Sequence, residues 1–210
     1  MAEYHLTLPP TAADVEQLRV GDLVYLSGEI TVTGGLPAHK RIIEYLDAGK
    51  PLPLPVTGAF LHLPHMVEKP EGADRYTVHY VNPTTSMRFD SYMPRLVKEL
   101  GLKIVGGKGG LGEQSVAALK EAGCVYVSLL GGGSPMLSAA INDVIDVAWN
   151  DFPSHFRLSR LRLDELGPLT VGIDAHGNSI YDDLAKQASE RLPGILQTLR
   201  DRRENALSGN

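Results

Sequence analysis

Three stretches between residues 76 and 148 repeat one pattern: a short apolar run, a loop rich in glycine or hydroxyl residues, and a helix-like segment. The apolar runs are residues 76–81, 103–105 and 125–130. Their β-branched and aromatic residues predict strands, and apolar residues at helical spacing predict the helices that follow. Strands that alternate with helices are typical of parallel pairing, so we expect all three loops to meet at one edge of a sheet.

The rest of the chain predicts two short strands joined by a hairpin or bend, a helix closed by Gly49, a third strand, several short strands and a final amphipathic helix. In chain order these occupy residues 22–26 and 29–33, 39–46, 58–63, 156–181 and 184–199. Residues 1–13 show little periodicity and predict an extended arm, and residues 201–210 predict a polar, frayed tail. The pattern as a whole predicts a mixed α/β fold.

Composition places the chain among ordinary globular proteins. Its 210 residues are enough to bury a full core, and we expect a single domain over residues 1–210. A net charge of -5 and a pI near 5.8 argue against nucleic acid and acidic membranes as partners, because both require a basic face. No apolar run approaches the roughly 18 residues of a membrane span, and the N-terminus lacks the basic-then-apolar pattern of a signal peptide. A soluble, cytoplasmic protein is therefore expected.

Metal-ligating residues are sparse. Cys124 is the one cysteine in the sequence, so an internal disulfide is excluded and a zinc or iron–sulfur site cannot be built from thiolates of this chain. It lies within a strand-like run and is expected to be a buried core residue. His62 and His65 have the spacing of a metal-binding pair, but no third ligand is evident nearby.

The strongest chemical signal is a set of cations and hydroxyls on the predicted loops. Thr84, Thr85 and Arg88 follow the strand at 76–81, and Lys108 lies within a run of glycines. In α/β proteins ligands bind where strands end, and free backbone N–H groups on such loops attract anions. The sequence therefore predicts an anion pocket at this edge.

A nucleotide site must also be weighed. Residues 107–112 spell G-x-G-x-x-G after a strand and before a helix, but the dinucleotide fingerprint needs an acidic residue about 20 positions later. The nearest acid after the next strand is Asp143. A phosphate-binding P-loop fails as well, because Gly109 follows Lys108 where Ser or Thr is required.

Several motifs in register carry a resemblance. Residues 83–88 read Pro-Thr-Thr-Ser-Met-Arg, residues 105–112 read Val-Gly-Gly-Lys-Gly-Gly-Leu-Gly, and residues 167–178 read Gly-Pro-Leu-Thr-Val-Gly-Ile-Asp-Ala-His-Gly-Asn. They are similar to the β subunits of L(+)-tartrate dehydratases and to the C-terminal domains of class I fumarate hydratases. Residues 20–28 and 38–41 fit the same pattern, so the resemblance runs in order from about residue 14 to residue 192.

The resemblance implies a swivelling β/β/α domain that works with a separate α subunit in a hetero-oligomer. In that family the partner holds a [4Fe-4S] cluster through three cysteines, and the enzyme reversibly adds water across the double bond of a small dicarboxylic acid. By similarity, Thr84 is the candidate catalytic base, assisted by Arg88 and Lys108. His39, Arg88 and Lys108 are the candidate substrate-binding residues.

Each of these residues has a structural alternative. Thr84 or Thr85 would cap a helix, as such residues often do. Arg88 would be an ordinary surface arginine on a first helical turn. His39 would be a hydrogen-bond donor that holds a loop, and His176 is expected to be structural.

One departure from the family pattern changes the expected substrate. The family carries a carboxylate-binding arginine four residues before the histidine that matches His39, and this chain has Gly35 there. A guanidinium binds a carboxylate through two parallel hydrogen bonds, so its loss favours a substrate other than plain fumarate or tartrate. Leu36 suggests a pocket wall that tolerates an apolar substituent. The alternative hypothesis is a non-catalytic relative that binds small anions or serves as an interaction domain.

Overall fold

The computed structural model describes residues 1–208, which form a mixed α/β fold as predicted. The helices are α1 Ala12–Glu16, α2 Leu36–Asp47, α3 Met93–Glu99, α4 Glu113–Ala122, α5 Ser134–Ala139 and α6 Ile180–Ser208, with short 3-10 helices at Ser86–Tyr92 and Ser154–Phe156. The strands are β1 Glu3–Thr7, β2 Leu23–Thr33, β3 Ala59–His62, β4 His65–Glu68, β5 Thr77–Val81, β6 Ile104–Gly107, β7 Val125–Ser128, β8 Ile141–Ala148 and β9 Leu158–Ile173.

Five strands pair in a closed ring in the order β2-β3-β6-β7-β9, because β9 pairs with both β7 and β2. β2, β3, β6 and β7 are mutually parallel, and β9 runs antiparallel to both of its ring neighbours. β1 extends the sheet beside β2, and β8 extends it beside β9. β4 and β5 form a separate antiparallel hairpin.

Alternate residues of the ring strands enter two different hydrophobic cores. On β7, Val125 and Val127 belong to one core, whereas Tyr126 belongs to a second core that contains the apolar faces of α2, α3 and α4. β3 divides in the same way, with Leu61 in the first core and Phe60 in the second. Successive side chains point to opposite faces of a strand, so continuous apolar runs are what such doubly covered strands require. Truncating a buried ring such as Phe60 to alanine would cost about 3–5 kcal/mol.

Four predicted elements differ from the structure, one of them being β9, a single strand of 16 residues where several short strands were predicted. Residues 23–33 form one continuous strand and not two, because Gly28 absorbs the bend with φ of 113° at an irregularity in the β2–β9 register. β5 is not part of the parallel sheet but pairs with β4. The helix predicted after β7 ends at Ala139, and the following segment is β8.

Both ends of the chain are more ordered than predicted. The predicted arm at residues 1–13 contains β1, an edge strand parallel to β2, and the start of α1. The predicted tail is helical up to Ser208, and its last two residues lie outside the described part of the chain. An edge strand needs only one partner, so a segment with weak periodicity was sufficient to form β1.

The apolar stripe of α6 is uncovered. Its large aliphatic side chains are 43–59% exposed, namely Leu184, Leu192, Ile195, Leu196 and Leu199. Within residues 1–208, no helix is long and apolar enough to cross a membrane. Exposed apolar stripes of this kind mark contact surfaces for other proteins.

Three histidines lie fully inside the fold. His39, His62 and His65 are each 0% exposed. Burial lowers the pKa of His39 and of His65 to about 4, although a hydrogen bond to a backbone carbonyl opposes the effect in each case. Burial, with a smaller contribution from His39, also lowers the pKa of His62 well below its usual range. All three imidazoles are therefore neutral at physiological pH.

These histidines predict a loss of stability in mild acid. Between pH 6.5 and 4 these histidines bind protons in the unfolded chain but stay unprotonated in the folded chain. The free energy of unfolding should therefore fall as pH falls through this window. A pKa lowered from 6.5 to about 4 corresponds to roughly 3 kcal/mol per histidine. Urea unfolding at half-unit pH steps from 7.5 to 4 measures this decline.

The control for this experiment is replacement of the exposed His79 by Gln, which should leave the pH slope unchanged because His79 is not among the groups that act on the pKa of the buried histidines. The carboxylates with lowered pKa, Asp14, Glu29 and Asp151, start from values of 3.8 to 4.5 and act mainly below the same window. A stability curve that is flat from pH 6.5 to 5 would contradict the burial of neutral histidines.

Candidate functional site

The predicted loops do meet, through a short ladder of backbone hydrogen bonds. Lys108 N donates to Thr84 O at 3.0 Å, and Ser86 N donates to Lys108 O at 2.9 Å. On the other side of the same segment, Leu129 N donates to Gly107 O at 2.7 Å. We call residues 84–88 the threonine loop and residues 106–112 the glycine loop. The chain returns from β5 to the main sheet at this point, so the loops converge although β5 lies outside it.

The threonine loop places Arg88 against Thr84. Arg88 Nη1 donates to Thr84 Oγ1 at 3.3 Å, and this is the one side-chain partner of Arg88 within residues 1–208. Thr85 occupies the cap position of the Ser86–Tyr92 helix without a side-chain capping bond. The Thr84 hydroxyl is thus joined to a guanidinium, and the capping alternative has no support in this geometry.

Lys108 lies on the adjacent loop and is partly buried. A Cβ built at Gly131 would lie 3.9 Å from Lys108 Nζ, which places the ammonium beside the third predicted loop. Neither Lys108 nor Arg88 pairs with a carboxylate in the described part of the chain. Two cations without counter-ions therefore line one edge of the sheet, beside backbone made of glycine.

The start of α4 is already occupied by a carboxylate from this chain. Asp90 Oδ1 accepts hydrogen bonds from Gly112 N at 2.7 Å and from Ser115 Oγ at 2.6 Å. A phosphate at this helix start would have to displace Asp90. The dinucleotide interpretation of residues 107–112 therefore fails on geometry as well as on sequence.

Gly107 is required by close approach to the threonine loop. A Cβ at this position would lie 2.2 Å from Ser86 Oγ, closer than any real contact. Ser86 in turn accepts or donates two short hydrogen bonds, at 2.8 Å to His62 Nδ1 and at 2.8 Å to Tyr126 Oη. Glycine at 107 thus makes room for a buried polar cluster directly beneath the site.

His39 lies beneath the threonine loop and not on a loop surface. Its ring stacks on Phe89, with centroids 3.9 Å apart and planes within 3°, and Phe89 directly follows Arg88. Its Nδ1 lies 2.8 Å from Gly35 O, whereas its Nε2 has no hydrogen-bond partner within residues 1–208. The structure therefore brings His39 next to the site, with its ring fully buried.

Sequence reasoning missed the roles of His62, Ser86 and Tyr126. Ser86 was visible as part of the Thr-Thr-Ser run, but its partners lie on β3 and β7, 24 and 40 residues away. His62 follows Phe60 by two positions on β3, so it faces the same helical core. Side chains of a strand share a face only at even spacing, and His62 and His65 are three positions apart. This spacing was the available signal that the two histidines do not form a metal-binding pair. His65 bonds instead to Ser159 Oγ, at 2.7 Å.

Phe156 fills the space beside Gly35. A Cβ at Gly35 would lie 2.7 Å from atoms of the Phe156 side chain. Phe156 is held there because its carbonyl accepts a hydrogen bond from Thr33 Oγ1 at 3.1 Å. An arginine at position 35 would collide with this ring, so an aromatic side chain stands at the place from which a guanidinium would extend.

His176 has a structural contact. Its Nε2 lies 3.1 Å from Glu16 O, and its backbone N–H donates to Asp174 Oδ1 at 3.0 Å. Asp174 also accepts from the backbone and the side-chain amide of Asn178. These bonds hold the turn between β9 and α6.

This chain offers no thiolate set for a metal cluster. Its one cysteine, Cys124, is 0% exposed, and burial raises the pKa of its thiol. Within residues 1–208 no three His, Cys, Asp or Glu side chains come together as metal ligands. An iron–sulfur cluster does not fit the donor groups described here.

Comparison with known proteins identifies relatives over nearly the whole chain. Residues 2–184 match the family described as the fumarase C-terminus. The β subunit of L(+)-tartrate dehydratase from Escherichia coli K12 is 32% identical over 195 residues, which is 92% of this chain and 94% of the relative. A putative β subunit of the same enzyme from Methanocaldococcus jannaschii is 31% identical over 189 residues, 89% of this chain and 95% of the relative.

A further relative is a longer protein. The putative class I fumarate hydratase of Geobacillus stearothermophilus is 32% identical over 188 residues, covering 89% of this chain but 35% of that protein. The site motifs, the fold and these matches agree over the same residues, and the chain therefore belongs to the fumarase C-terminus family.

Proposed function

We propose that this chain is the β subunit of an iron–sulfur-dependent hydro-lyase that hydrates and dehydrates a small dicarboxylic acid. The observation that carries the proposal is the pair of unneutralised cations, Arg88 and Lys108, on two hydrogen-bonded loops, with the Thr84 hydroxyl in contact with Arg88. The named functions of the relatives support the same reaction class.

The chemistry of the cations suits a carboxylate substrate. Arg88 presents a planar fork of donors and Lys108 a compact ammonium, which together can bind the two oxygens of a carboxylate. Removing a proton from the carbon next to a carboxylate builds negative charge on that group. Cations already in place at the loops would stabilise this charge in the transition state.

Thr84 is the candidate base for that proton. A hydroxyl is a weak base at neutral pH, so it needs a neighbour that stabilises its deprotonated form. The Arg88 guanidinium donates to Thr84 Oγ1 at 3.3 Å, and a hydrogen bond to the charged form of an acid lowers its pKa. Arg88 therefore has two roles here, one toward the substrate carboxylate and one toward the base.

The remaining half of the site comes from an α subunit in this proposal. Release of hydroxide from an alcohol needs a Lewis acid, which the cluster supplies when it is bound to the partner. Two uncovered surfaces of this chain are available to that partner: the edge formed by the glycine and threonine loops, and the apolar stripe of α6. A β subunit with a hetero-oligomeric partner accounts for both.

The substrate is expected to carry an apolar or hydroxyl substituent. Phe156 closes the space at Gly35 and replaces a bidentate carboxylate ligand with an aromatic ring. The competing function is a non-catalytic small-anion-binding domain, and Gly35 is the observation that favours it. Retention of Thr84, Arg88 and Lys108 in one contact network favours the enzyme.

The first prediction concerns the cations. Arg88→Ala and Lys108→Ala should each lower kcat/KM of the assembled enzyme about ten- to hundredfold, because a charge-assisted contact to a carboxylate contributes about 1.5–3 kcal/mol. Steady-state kinetics of the reconstituted complex measures this loss.

The control for the cations is Lys98→Ala, an exposed lysine on α3 whose loss should leave kcat/KM unchanged. Thr84→Val should reduce kcat more than it raises KM, as expected for a group that acts on the reacting proton. Full activity in both cation variants would show that the anion pocket lies elsewhere.

The second prediction concerns substrate choice. The assembled enzyme should use a substituted or hydroxylated four- or five-carbon dicarboxylate better than fumarate, since Phe156 offers an apolar wall. A panel of such acids, compared by kcat/KM, measures the preference.

A paired variant sharpens this test. Gly35→Arg alone should fold poorly because of the 2.7 Å approach to Phe156, whereas Gly35→Arg combined with Phe156→Ala should fold and move the preference toward fumarate. Phe156→Ala alone is the matched control. A wild-type preference for unsubstituted fumarate would refute the inference from Gly35.

The third prediction is that the chain purified alone under anaerobic conditions is colourless, contains no stoichiometric iron and has no hydratase activity. A cluster requires several thiolates, and the single cysteine is buried and protonated. Iron analysis and visible absorbance of the purified chain measure this. A bound cluster, or turnover without a second subunit, would overturn the two-subunit proposal.

A further inference from the structure

A continuous series of buried polar groups runs beneath the two loops and ends on two histidines. Tyr126 Oη, Ser86 Oγ and His62 Nδ1 are linked by hydrogen bonds of 2.8 Å each. The ring of His62 lies next to that of His39, with centroids 5.2 Å apart, and His39 Nδ1 contacts Gly35 O at 2.8 Å. The hydroxyl hydrogens and the ring protons are not fixed by heavy-atom positions, but the neighbours of the series determine its direction.

The direction can be worked out from both ends. Gly35 O is a carbonyl and can only accept, so His39 carries its proton on Nδ1 and its Nε2 is a bare acceptor. At the other end, the Tyr126 phenol is fully buried, and Ser86 Oγ is the one acceptor that its O–H reaches within residues 1–208. A buried O–H needs an acceptor, so Tyr126 donates to Ser86 Oγ.

The hydrogen bond of Ser86 then determines which nitrogen of His62 is protonated. Because Ser86 Oγ accepts from Tyr126, its own hydrogen is donated to His62 Nδ1, which must be the bare nitrogen. A neutral His62 consequently carries its proton on Nε2. Burial keeps the pKa of both histidines far below neutrality, so neither ring holds a second proton.

Two atoms of this series have no hydrogen-bond partner within residues 1–208, namely His39 Nε2 and His62 Nε2. One is an acceptor and the other a donor, on rings that are each 0% exposed and adjacent. The two rings do not hydrogen-bond to each other directly. An unpaired buried polar atom costs about 1–3 kcal/mol, and a donor and an acceptor on neighbouring rings are the pair that one bridging water satisfies.

We propose that Tyr126, Ser86 and His62 form one directed hydrogen-bond chain that ends beside the His39 ring, with the two histidines in opposite tautomers, and that this chain positions the threonine and glycine loops for the reaction. Within it Ser86 is the junction. Its backbone N–H binds Lys108 O and its side chain binds both β3 and β7.

The hydrogen-bond chain holds the site residues from both sides. The His62 carbonyl accepts Thr84 N at 3.1 Å, and His39 stacks on Phe89 immediately after Arg88. Disrupting the donor-to-acceptor order of the hydrogen-bond chain should therefore let Thr84 and Arg88 shift relative to Lys108. These are positioning residues, since none of them has to touch the substrate for the effect to operate. The positioning role rests on the proposed function, whereas the assignment of the two histidine tautomers is independent of it.

The tautomers can be measured on the full chain alone. Long-range proton–nitrogen correlation spectra of the ¹⁵N-histidine-labelled protein at pH 7.5 should show His39 protonated on Nδ1 and His62 protonated on Nε2, with each signal assigned by its absence in a His→Gln variant. Ser86→Ala should remove the fixed tautomer of His62. A His62 protonated on Nδ1, or either ring doubly protonated, would overturn the proposed direction.

The protein offers a matched control for this measurement. Ser159 Oγ and His65 Nε2 form a second buried serine–histidine pair at 2.7 Å, which does not contact Thr84, Arg88 or Lys108. Ser159→Ala should change the spectrum of His65 alone. If Ser159→Ala altered the His62 tautomer as much as Ser86→Ala does, the chain would not be a separate unit.

The effect on catalysis is a second readout, in the complex with the partner subunit. Ser86→Ala should lower kcat about ten- to hundredfold with little change in KM, because small misplacements of reacting groups cost this much. Tyr126→Phe, which keeps the ring and removes the donor, should reproduce part of the loss, and Ser159→Ala should not. Normal turnover in Ser86→Ala with the expected tautomers would refute the positioning role. Absence of turnover in the wild-type complex would refute the proposed function and leave the tautomer assignment standing.

Discussion

The site depends on two backbone hydrogen bonds that join residues 84–86 to Lys108. β5 belongs to a separate hairpin, so nothing in the parallel sheet itself would bring the threonine loop to the edge. The short ladder replaces that missing pairing and fixes Thr84 and Arg88 against Lys108. Gly107 makes the approach possible, since a Cβ there would occupy the position of the Ser86 hydroxyl. The cations, the candidate base and the polar cluster beneath them all rest on this contact.

Sequence reasoning located the loops but not what holds them. Thr84, Arg88 and Lys108 are visible as unusual residue types on strand-to-helix connections, and the α/β class follows from the alternation of apolar runs. The partners of Ser86 were not visible, because His62 and Tyr126 resemble ordinary members of apolar strands. Contacts over 24 and 40 residues leave no periodic signal in a single sequence. The same limit explains β8, whose sequence is compatible with helix until β9 is present to pair with it.

β9 shows how tertiary context overrides local pattern. Its sequence contains charged residues, a glycine and a proline, which favour several short strands. In the structure it is a single strand of 16 residues that pairs with β2, β7 and β8. Arg160 and Arg162 pair with Glu29 on β2 and stay near the surface, while the alternating Leu161 and Leu163 enter the core. The closed ring supplies pairing on both sides, which compensates for the weak strand propensity of the middle of β9.

The attraction of the site for an anion depends on the charges close to it and not on the net charge of the protein. A dicarboxylate approaches a chain with a net charge of -5, so the overall charge repels it. Charges more than about 8 Å apart are largely screened at physiological ionic strength, so this repulsion is weak at the site itself. Arg88 and Lys108 form no ion pair with a carboxylate among residues 1–208, and Asp90, two residues after Arg88, is engaged by Gly112 N and Ser115 Oγ. The three buried histidines add no charge, since burial keeps them neutral. The attraction for an anion therefore arises from two side chains, and it can only be strong once a partner covers the edge and removes the water that screens them.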